Sequence, residues 1–415
     1  MIKERLMGYA PITAILTFAL SLRVWRLESP NGYIFDEVYY AKNAASLITS
    51  FVELDEKGAS EFVVHPPLGK WLIGFGIKIF GNNEFGWRIS AAIFGTLSIL
   101  LIYLITKKLF NSKLLSLTAA ILMSFDGLNL VMSRVALLDI FLMVFILLSF
   151  YLLVLNKYLA SAFAIGLAVA TKWSGVFLLI LILIFAIYEH RHHLRKVIKL
   201  FFSYTLIPLL VYFSSWGGWL VTSTGWARQS ESNVFSSFWN NHMQILNFHR
   251  DLTEAHSYQA NPWSWLILGR PTSFFYDDRA SCGQVKCAQE ILAMGTPFLW
   301  WSAIFATAIV LGVVISNPDR NAALILLGFA GTYLPWFAFQ DRPLFYFYAI
   351  SILPFLILAI IYCFNSILNQ RHTRKYIIFY TVLIGLNFLY FLPIFMGISI
   401  PYSDWLERMW LNSWI

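Results

Sequence analysis

Runs of about twenty mostly apolar residues recur along the whole chain, and no other feature limits its fold so severely. A stretch of that length spans the hydrocarbon of a bilayer as a helix, because lipid offers the backbone no hydrogen-bonding partner. The runs fall at 8–26, 87–106, 114–132, 136–155, 158–171, 174–188, 199–221, 296–315, 321–339, 344–364 and 376–397 of the 415 residues. That is eleven spans, and the expected fold class is an all-α polytopic membrane protein. The fifth and sixth runs are short and meet at the polar turn Thr171-Lys172-Trp173. With 59% hydrophobic and 13% charged residues, the chain is far from the composition of a soluble domain, which is about a quarter charged. Lys3 and Arg5 before the first run also fit a signal peptide. No small-residue cleavage site follows, however, and Arg23 to Arg26 closes the run, so it reads as a retained anchor.

Charge sets the expected orientation. With the N-terminus cytoplasmic, the inner loops are 1–7, 107–113, 156–157, 189–199, 316–320 and 365–375; they hold 14 Lys and Arg against 3 Asp and Glu. The rest of the chain holds 16 cations and 19 anions. Positive residues collect on the cytoplasmic side, so this orientation is preferred to its reverse. The net charge of +8 then needs no nucleic-acid partner, and no basic domain stands outside the spans to grip one.

The whole of 1–415 reads as one integral membrane domain with two long outer loops, 27–86 and 222–295. Long loops commonly carry function, so the chemistry is expected on the outer face. The first loop should hold two helices lying on the membrane. One runs from Asp36 to about Ile48. The other begins after His65-Pro66-Pro67, turning Leu68, Trp71, Leu72, Phe75 and Ile79 to lipid and Lys70 and Lys78 to water. In the second loop Cys282 and Cys287 are a disulfide candidate at an oxidising face; the C-x4-C spacing without a nearby His argues against zinc.

Several polar residues at the outer ends of the spans could carry chemistry. Asp36 and Glu37 are adjacent carboxylates among apolar neighbours, a setting that raises a pKa and suits a general base. Asp36 also fits a helix cap. His65 precedes a proline and so is extended. Arg88, Arg134, Lys172 and Arg342 are cations near span ends, where charges either snorkel or line a cavity. Asp139 lies one turn inside an apolar helix, and Arg134 is a candidate partner. The run Phe345-Tyr346-Phe347-Tyr348 reads as an interfacial aromatic belt rather than a sugar platform. Neither a phosphate-binding glycine loop nor a dinucleotide fingerprint is present. Carboxylates, cations and aromatics at headgroup depth together suit glycosyl transfer from a lipid-linked sugar phosphate.

These same strings carry a resemblance. Ile34-Phe35-Asp36-Glu37-Val38-Tyr39-Tyr40, His65-Pro66-Pro67-Leu68-Gly69-Lys70, Trp87-Arg88, Ser133-Arg134 to Asp139, and Thr171-Lys172-Trp173-Ser174-Gly175 resemble the protein O-mannosyltransferase family in order over 34–175. Asn261-Pro262-Trp263-Ser264-Trp265 and Gly269-Arg270-Pro271 resemble its bacterial branch. The eukaryotic β-trefoil insert has no room in 222–295. The resemblance implies a GT-C architecture, a polyprenyl-phosphate-mannose donor, Ser or Thr hydroxyls of exported proteins as acceptors, and inversion at the anomeric carbon. It makes Asp36 the catalytic carboxylate, Glu37 its support or an acceptor ligand, and Arg88 the essential arginine of the second span. On this reading Arg88, with His65, Arg134, Lys172 and Arg342, holds the donor phosphate, and Asp139 belongs to the same substrate-binding group. No cofactor is called for; Asp36, Glu37 and His65 are the residues that could hold a divalent metal, and that point stays open. Two rivals remain: a GT-C transferase that moves arabinose or aminoarabinose to a glycolipid, and a transporter. The absence of an internal repeat and of mid-bilayer charges argues against the transporter.

Overall fold

A computed structural model describes the chain except Met1, Gln284, Leu368, Asn369 and Arg371, and except the side chains of residues 2–8. Lys3, Arg5 and Arg371 of the charge tally therefore lie outside the described residues.

The first half folds as α1 (Ile2–Val24), α2 (Glu37–Ser50), α3 (Leu68–Phe80), α4 (Glu84–Phe110), α5 (Lys113–Ser124), α6 (Gly127–Met132), α7 (Asp139–Val154), α8 (Tyr158–Thr171), α9 (Gly175–Glu189), α10 (Leu194–Ser215) and α11 (Gly217–Val221). Then come α12 (Val234–Asp251), α13 (Pro262–Trp265), the strands β1 (Thr272–Asp277) and β2 (Cys287–Ala293), α14 (Pro297–Ser316), α15 (Arg320–Tyr333), α16 (Leu353–Ser366), α17 (Thr373–Met396), β3 (Ile400–Pro401) and α18 (Tyr402–Glu407). Helix starts follow local chemistry: the side chains of Asn83, Ser112, Asp126, Asn233 and Asp319 each accept a bond from the first turn they precede.

Among the described residues, five helices are long and apolar enough to cross a membrane unaided, and six shorter apolar ones match the remaining expected spans. The chain is a polytopic helical membrane protein. Three spans differ from a plain helix. The third is broken at Asp126, whose carboxylate accepts from Asn129 N at 2.9 Å, Thr296 N at 3.1 Å and Trp300 Nε1 at 2.8 Å. The tenth opens as a 3-10 turn, Tyr346–Ser351, and the ninth closes as one, Leu334–Phe339. Such breaks survive at membrane depth where protein, not lipid, satisfies the backbone.

Burial separates inner from lipid-facing helices. In α7, 13 of 16 residues are buried, consistent with an apolar sequence on all sides and with packing against α4 and α8. Only four of the 22 residues of α10 are buried. The two expected surface helices are α2 and α3, packed on each other. Gly74 permits that contact, because a Cβ there would stand 2.5 Å from Ile48 Cγ2. Phe75, Lys78 and Ile79 are exposed, whereas Leu68, Trp71 and Leu72 are half-buried. Lys70, expected in water, is instead buried and paired with buried Glu53. A buried ammonium needs a paired charge, and Glu53 supplies it.

The second outer loop adds a small antiparallel sheet, β1-β2-β3, that the sequence reading did not foresee. Cys282 and Cys287 are bonded to each other beside its hairpin. Cys287 and Ala288 pair with Pro401 and Ile400, and Arg270 Nη1 donates to the Ile415 carbonyl at 2.7 Å, so the segment after α17 shares a face with this loop. Loops assigned to the opposite face also meet one another: Arg320 pairs with Glu189 at 2.6 Å, and Asn321 Nδ2 donates to Leu109 O at 2.9 Å.

Candidate active site

Two buried guanidiniums fix the chain that leads from α1 to Asp36. Arg134 donates to the carbonyls of Leu22, Arg23, Trp25 and Arg26 at 2.7–3.2 Å, closing the carbonyl end of α1 where a cation is electrostatically favoured. Arg88 takes the next carbonyls, those of Leu27, Pro30 and Gly32, at 3.0–3.1 Å. Its Nε and Nη2 donate to the Glu37 carboxylate, both at 2.8 Å. Glu37 accepts further from Ile34 N at 3.0 Å and Ala136 N at 2.9 Å.

This corrects three expectations. Arg88 is wholly buried, and its guanidinium is spent on Glu37 and the loop, leaving nothing for a phosphate. Arg134 is likewise committed to backbone carbonyls and does not pair with Asp139. Glu37 is wholly buried and cannot touch an acceptor. Among the described residues, Asp36, Glu37 and His65 do not form a cluster of metal-ligating side chains. The common cause is a loop rich in unpaired carbonyls: once buried, each needs a donor, and arginine supplies five in one side chain.

Asp36 itself is left free. It occupies the position before α2, and its carbonyl accepts from Tyr39 N and Tyr40 N, but its side chain makes no capping bond, contrary to the cap reading. Phe35, just before it, is held in the left-handed region at φ 48°. A non-glycine residue stays there only where packing over-determines it. Phe35 stacks on Phe274 at 4.6 Å and meets Phe347 edge-on at 5.5 Å. The turn thus aims the Asp36 carboxyl at a partly covered site. Burial pushes that carboxyl up to about 6; nearby Lys172 pulls it down and Asp139 pushes it up.

Asp36 is within range of the charge of Lys172, which lines a cavity of about 490 Å³, within the size range of small-ligand sites, although Asp36 itself is not in the lining. His65, Lys172, His249, Arg250, Asp341 and Arg342 line it together with Trp173, Ser174, Phe177, Leu246, Trp336, Ala338, Phe339 and Tyr348. A narrow cleft sharing Ser174, Phe177, Trp336 and Tyr348 runs on toward Asp139. Lys172 Nζ sits 2.9 Å from Asp139 Oδ1 and 4.1 Å from the centre of the Tyr348 ring. Asp139 is therefore the partner of this cation and not a ligand for an anion. Arg342 has no carboxylate partner among the described residues, and its Nε is buried without an acceptor. Its Nη1 donates to His249 Nδ1 at 3.0 Å. The aromatic run 345–348 is not a lipid-facing belt: Tyr346 and Phe347 are buried, and Tyr348 walls the cavity. Part of the wall is apolar, with Phe177 stacked on Phe339 at 5.7 Å, and Trp336 stacks at 5.0 Å on Tyr348, the ring that Lys172 sits over.

Of the sequence candidates, the fold brings His65, Lys172 and Arg342 to this cavity, Asp139 to the cleft beyond it and Asp36 within range of the Lys172 charge, and withdraws Glu37, Arg88 and Arg134 into the support. It adds residues that were not expected. Trp173 Nε1 donates to Tyr212 Oη at 2.9 Å, and Tyr212 Oη lies 2.8 Å from His242 Nε2, tying α12 to the cavity wall. The one hint in the sequence is that His242 and His249 lie seven residues apart, on one face of a helix.

Known proteins resemble the chain throughout. Residues 64–219 match the family described as dolichyl-phosphate-mannose-protein mannosyltransferase, and residues 234–414 the C-terminal four TMM region of protein-O-mannosyltransferase. The polyprenol-phosphate-mannose–protein mannosyltransferase of Mycolicibacterium smegmatis is 30% identical, over 99% of this chain and 94% of that one. The protein of the same name from Mycobacterium tuberculosis H37Rv is 29% identical, over 99% and 92%. Among solved structures, the S. cerevisiae Pmt1-Pmt2 complex bound to the sugar donor superposes with a TM-score of 0.81 at 15% identity, over 100% of this chain and 93% of that one. ArnT from Cupriavidus metallidurans bound to undecaprenyl phosphate gives 0.59 at 14%, over 97% and 72%. The fold is that of the GT-C membrane glycosyltransferases.

Proposed function

This chain belongs to the protein O-mannosyltransferase family, and from that premise we propose that it transfers mannose from a polyprenyl-phosphate-mannose lipid to Ser or Thr hydroxyls of exported proteins. The observation that carries the site assignment is the uncapped Asp36 carboxyl within range of Lys172, which lines a cavity together with Arg342.

In this reading the acceptor oxygen attacks the anomeric carbon while Asp36 takes its proton. The bond from that carbon to the phosphate oxygen breaks on the opposite face, and configuration inverts, as in single-displacement hydrolysis. The leaving group is a phosphate monoester that departs as an anion. Lys172 and Arg342, with His65 beside them, stabilise the growing charge, so no general acid and no metal is needed. The apolar wall of Phe177, Trp336 and Phe339 suits the first isoprene units. Glu37, Arg88 and Arg134 act at one remove, by holding the loop that carries Asp36. The whole chain works as one membrane unit in the plasma membrane, with the N-terminus cytoplasmic and the cavity outside. The positive loops 107–113 and 189–199 support that orientation.

The test is an assay with purified protein, radiolabelled polyprenyl-phosphate mannose, a Ser/Thr peptide, the same peptide with alanines, and a glycolipid. Label on the Ser/Thr peptide alone is expected. Label on the glycolipid alone would move the acceptor to lipid.

A further inference from the structure

We propose that His249 is a positioning residue of the donor site: its imidazole holds the Arg342 guanidinium so that the remaining N–H groups face the donor phosphate. The inference rests on the functional reading above and assigns a role to a residue that reading did not use.

Two contacts fix what this ring can do. His249 Nε2 lies 2.8 Å from the Val64 carbonyl, which can only accept, so Nε2 carries the proton. In a neutral ring Nδ1 is then a lone pair, and it receives Arg342 Nη1 at 3.0 Å. One imidazole thereby joins the segment before His65-Pro66-Pro67, the last turn of α12, and the loop 340–343, positions 185 and 93 residues distant in sequence. Among the described residues Arg342 has no carboxylate to hold it, so the histidine is its orienting contact, and its buried, unpartnered Nε points to a group yet to bind.

The surroundings keep the ring neutral. His65 faces it at 5.4 Å between ring centres and Trp173 at 5.9 Å. The charged groups on the same cavity wall are Lys172, Arg250, Asp341 and Arg342. Burial above all, with Arg342 and Lys172 adding repulsion, lowers His249 to about 4. The acceptor lone pair is therefore available throughout the neutral range.

The test uses the intact protein in lipid nanodiscs, with polyprenyl phosphate as the binding probe and donor KM and kcat as kinetic readouts. Asparagine places an oxygen where Nδ1 stood and keeps the acceptor for Arg342; glutamine places its amide near Nε2 and keeps the donor for Val64. Expected are a donor KM raised about 10- to 100-fold in His249→Ala and His249→Gln, the scale of one charge-assisted hydrogen bond. His249→Asn should recover most of that loss, and kcat should fall along with the KM rise in His249→Ala and His249→Gln, because Arg342 also steadies the charge that grows on the leaving phosphate. Arg342→Ala should give a similar rise, with no further rise in the double variant His249→Ala/Arg342→Ala. Equal behaviour of the Asn and Gln variants, or additive losses in the double variant, would overturn the proposal. If Gln does not fold, the Ala cycle alone decides. Failure of the functional reading looks different: the unsubstituted protein would transfer no mannose to peptide, while polyprenyl-phosphate binding would still report on His249 and Arg342.

Discussion

Arg88→Met separates a structural arginine from a phosphate-binding one. The substitution keeps much of the side-chain volume and removes the guanidinium. Glu37 would then remain wholly buried with two backbone N–H partners and no cation, and three carbonyls would lose their donor. Removing one partner of a buried ion pair costs about 3–5 kcal/mol. Each orphaned carbonyl adds up to about 1–3 kcal/mol, less whatever the loop recovers by relaxing. A net loss of about 4 kcal/mol is expected. At about 1–2 °C per kcal/mol, extrapolating the size trend to a chain this long, the Tm falls roughly 4–8 °C. Adding Glu37→Gln should restore part of it, because the uncompensated charge disappears; a coupling of about 2 kcal/mol is expected for residues in contact. The assay is thermal unfolding of the purified protein in detergent, followed by tryptophan fluorescence, beside polyprenyl-phosphate binding. Arg88→Met melting like the parent while binding the lipid phosphate about tenfold more weakly would refute the reasoning, since the guanidinium would then have been serving the donor.

Three further outcomes are expected. Transfer measured as kcat/KM should climb with pH and level off above about 6, because a base works deprotonated and burial raises Asp36 to that value; a plateau reaching down to pH 4 would remove Asp36 from the role. The same raised value means that Asp36 favours the fold while protonated, at low pH, and that this contribution fades as pH rises through about 6. Asp36→Asn should accordingly be no less stable than the parent at pH 8, as read by thermal unfolding. Lys172→Met combined with Asp139→Asn, which leaves no unpaired charge, should fold and lose about 10- to 100-fold in donor affinity; unchanged affinity would leave Arg342 as the site's main cation. Cysteine placed at His256 should react with a membrane-impermeant thiol reagent in intact cells and cysteine at Lys113 should not; the reverse pattern would invert the topology.

Hydropathy sufficed to find the spans because lipid imposes one rule on every backbone group within it. The motif strings located Asp36 and His65 because each sits in a short segment whose neighbours dictate its geometry. The fate of the cations was not legible in the same way. Arg88, Arg134 and Arg342 look alike in sequence, each near a span end. Their roles diverge through partners 51, 108 and 93 residues away: Glu37, the Arg26 carbonyl and His249. A buried loop with unpaired carbonyls claimed two of the three, and no local pattern announces such a loop. Lys70 misled for a related reason, since its fate depended on Glu53 and not on its own helix face. The hairpin at 272–293 escaped notice because β1 begins with three buried residues in a row, masking the alternation of a half-buried strand.

Asp36→Asn tests the central claim most directly. Purified parent and variant are supplied with radiolabelled polyprenyl-phosphate mannose and a synthetic Ser/Thr peptide, and donor binding is measured on the same preparations. The account predicts donor affinity within about twofold of the parent and a transfer rate lower by about 10²–10⁴-fold, the scale of a lost general base. Transfer at the parent's rate by the asparagine variant would contradict it.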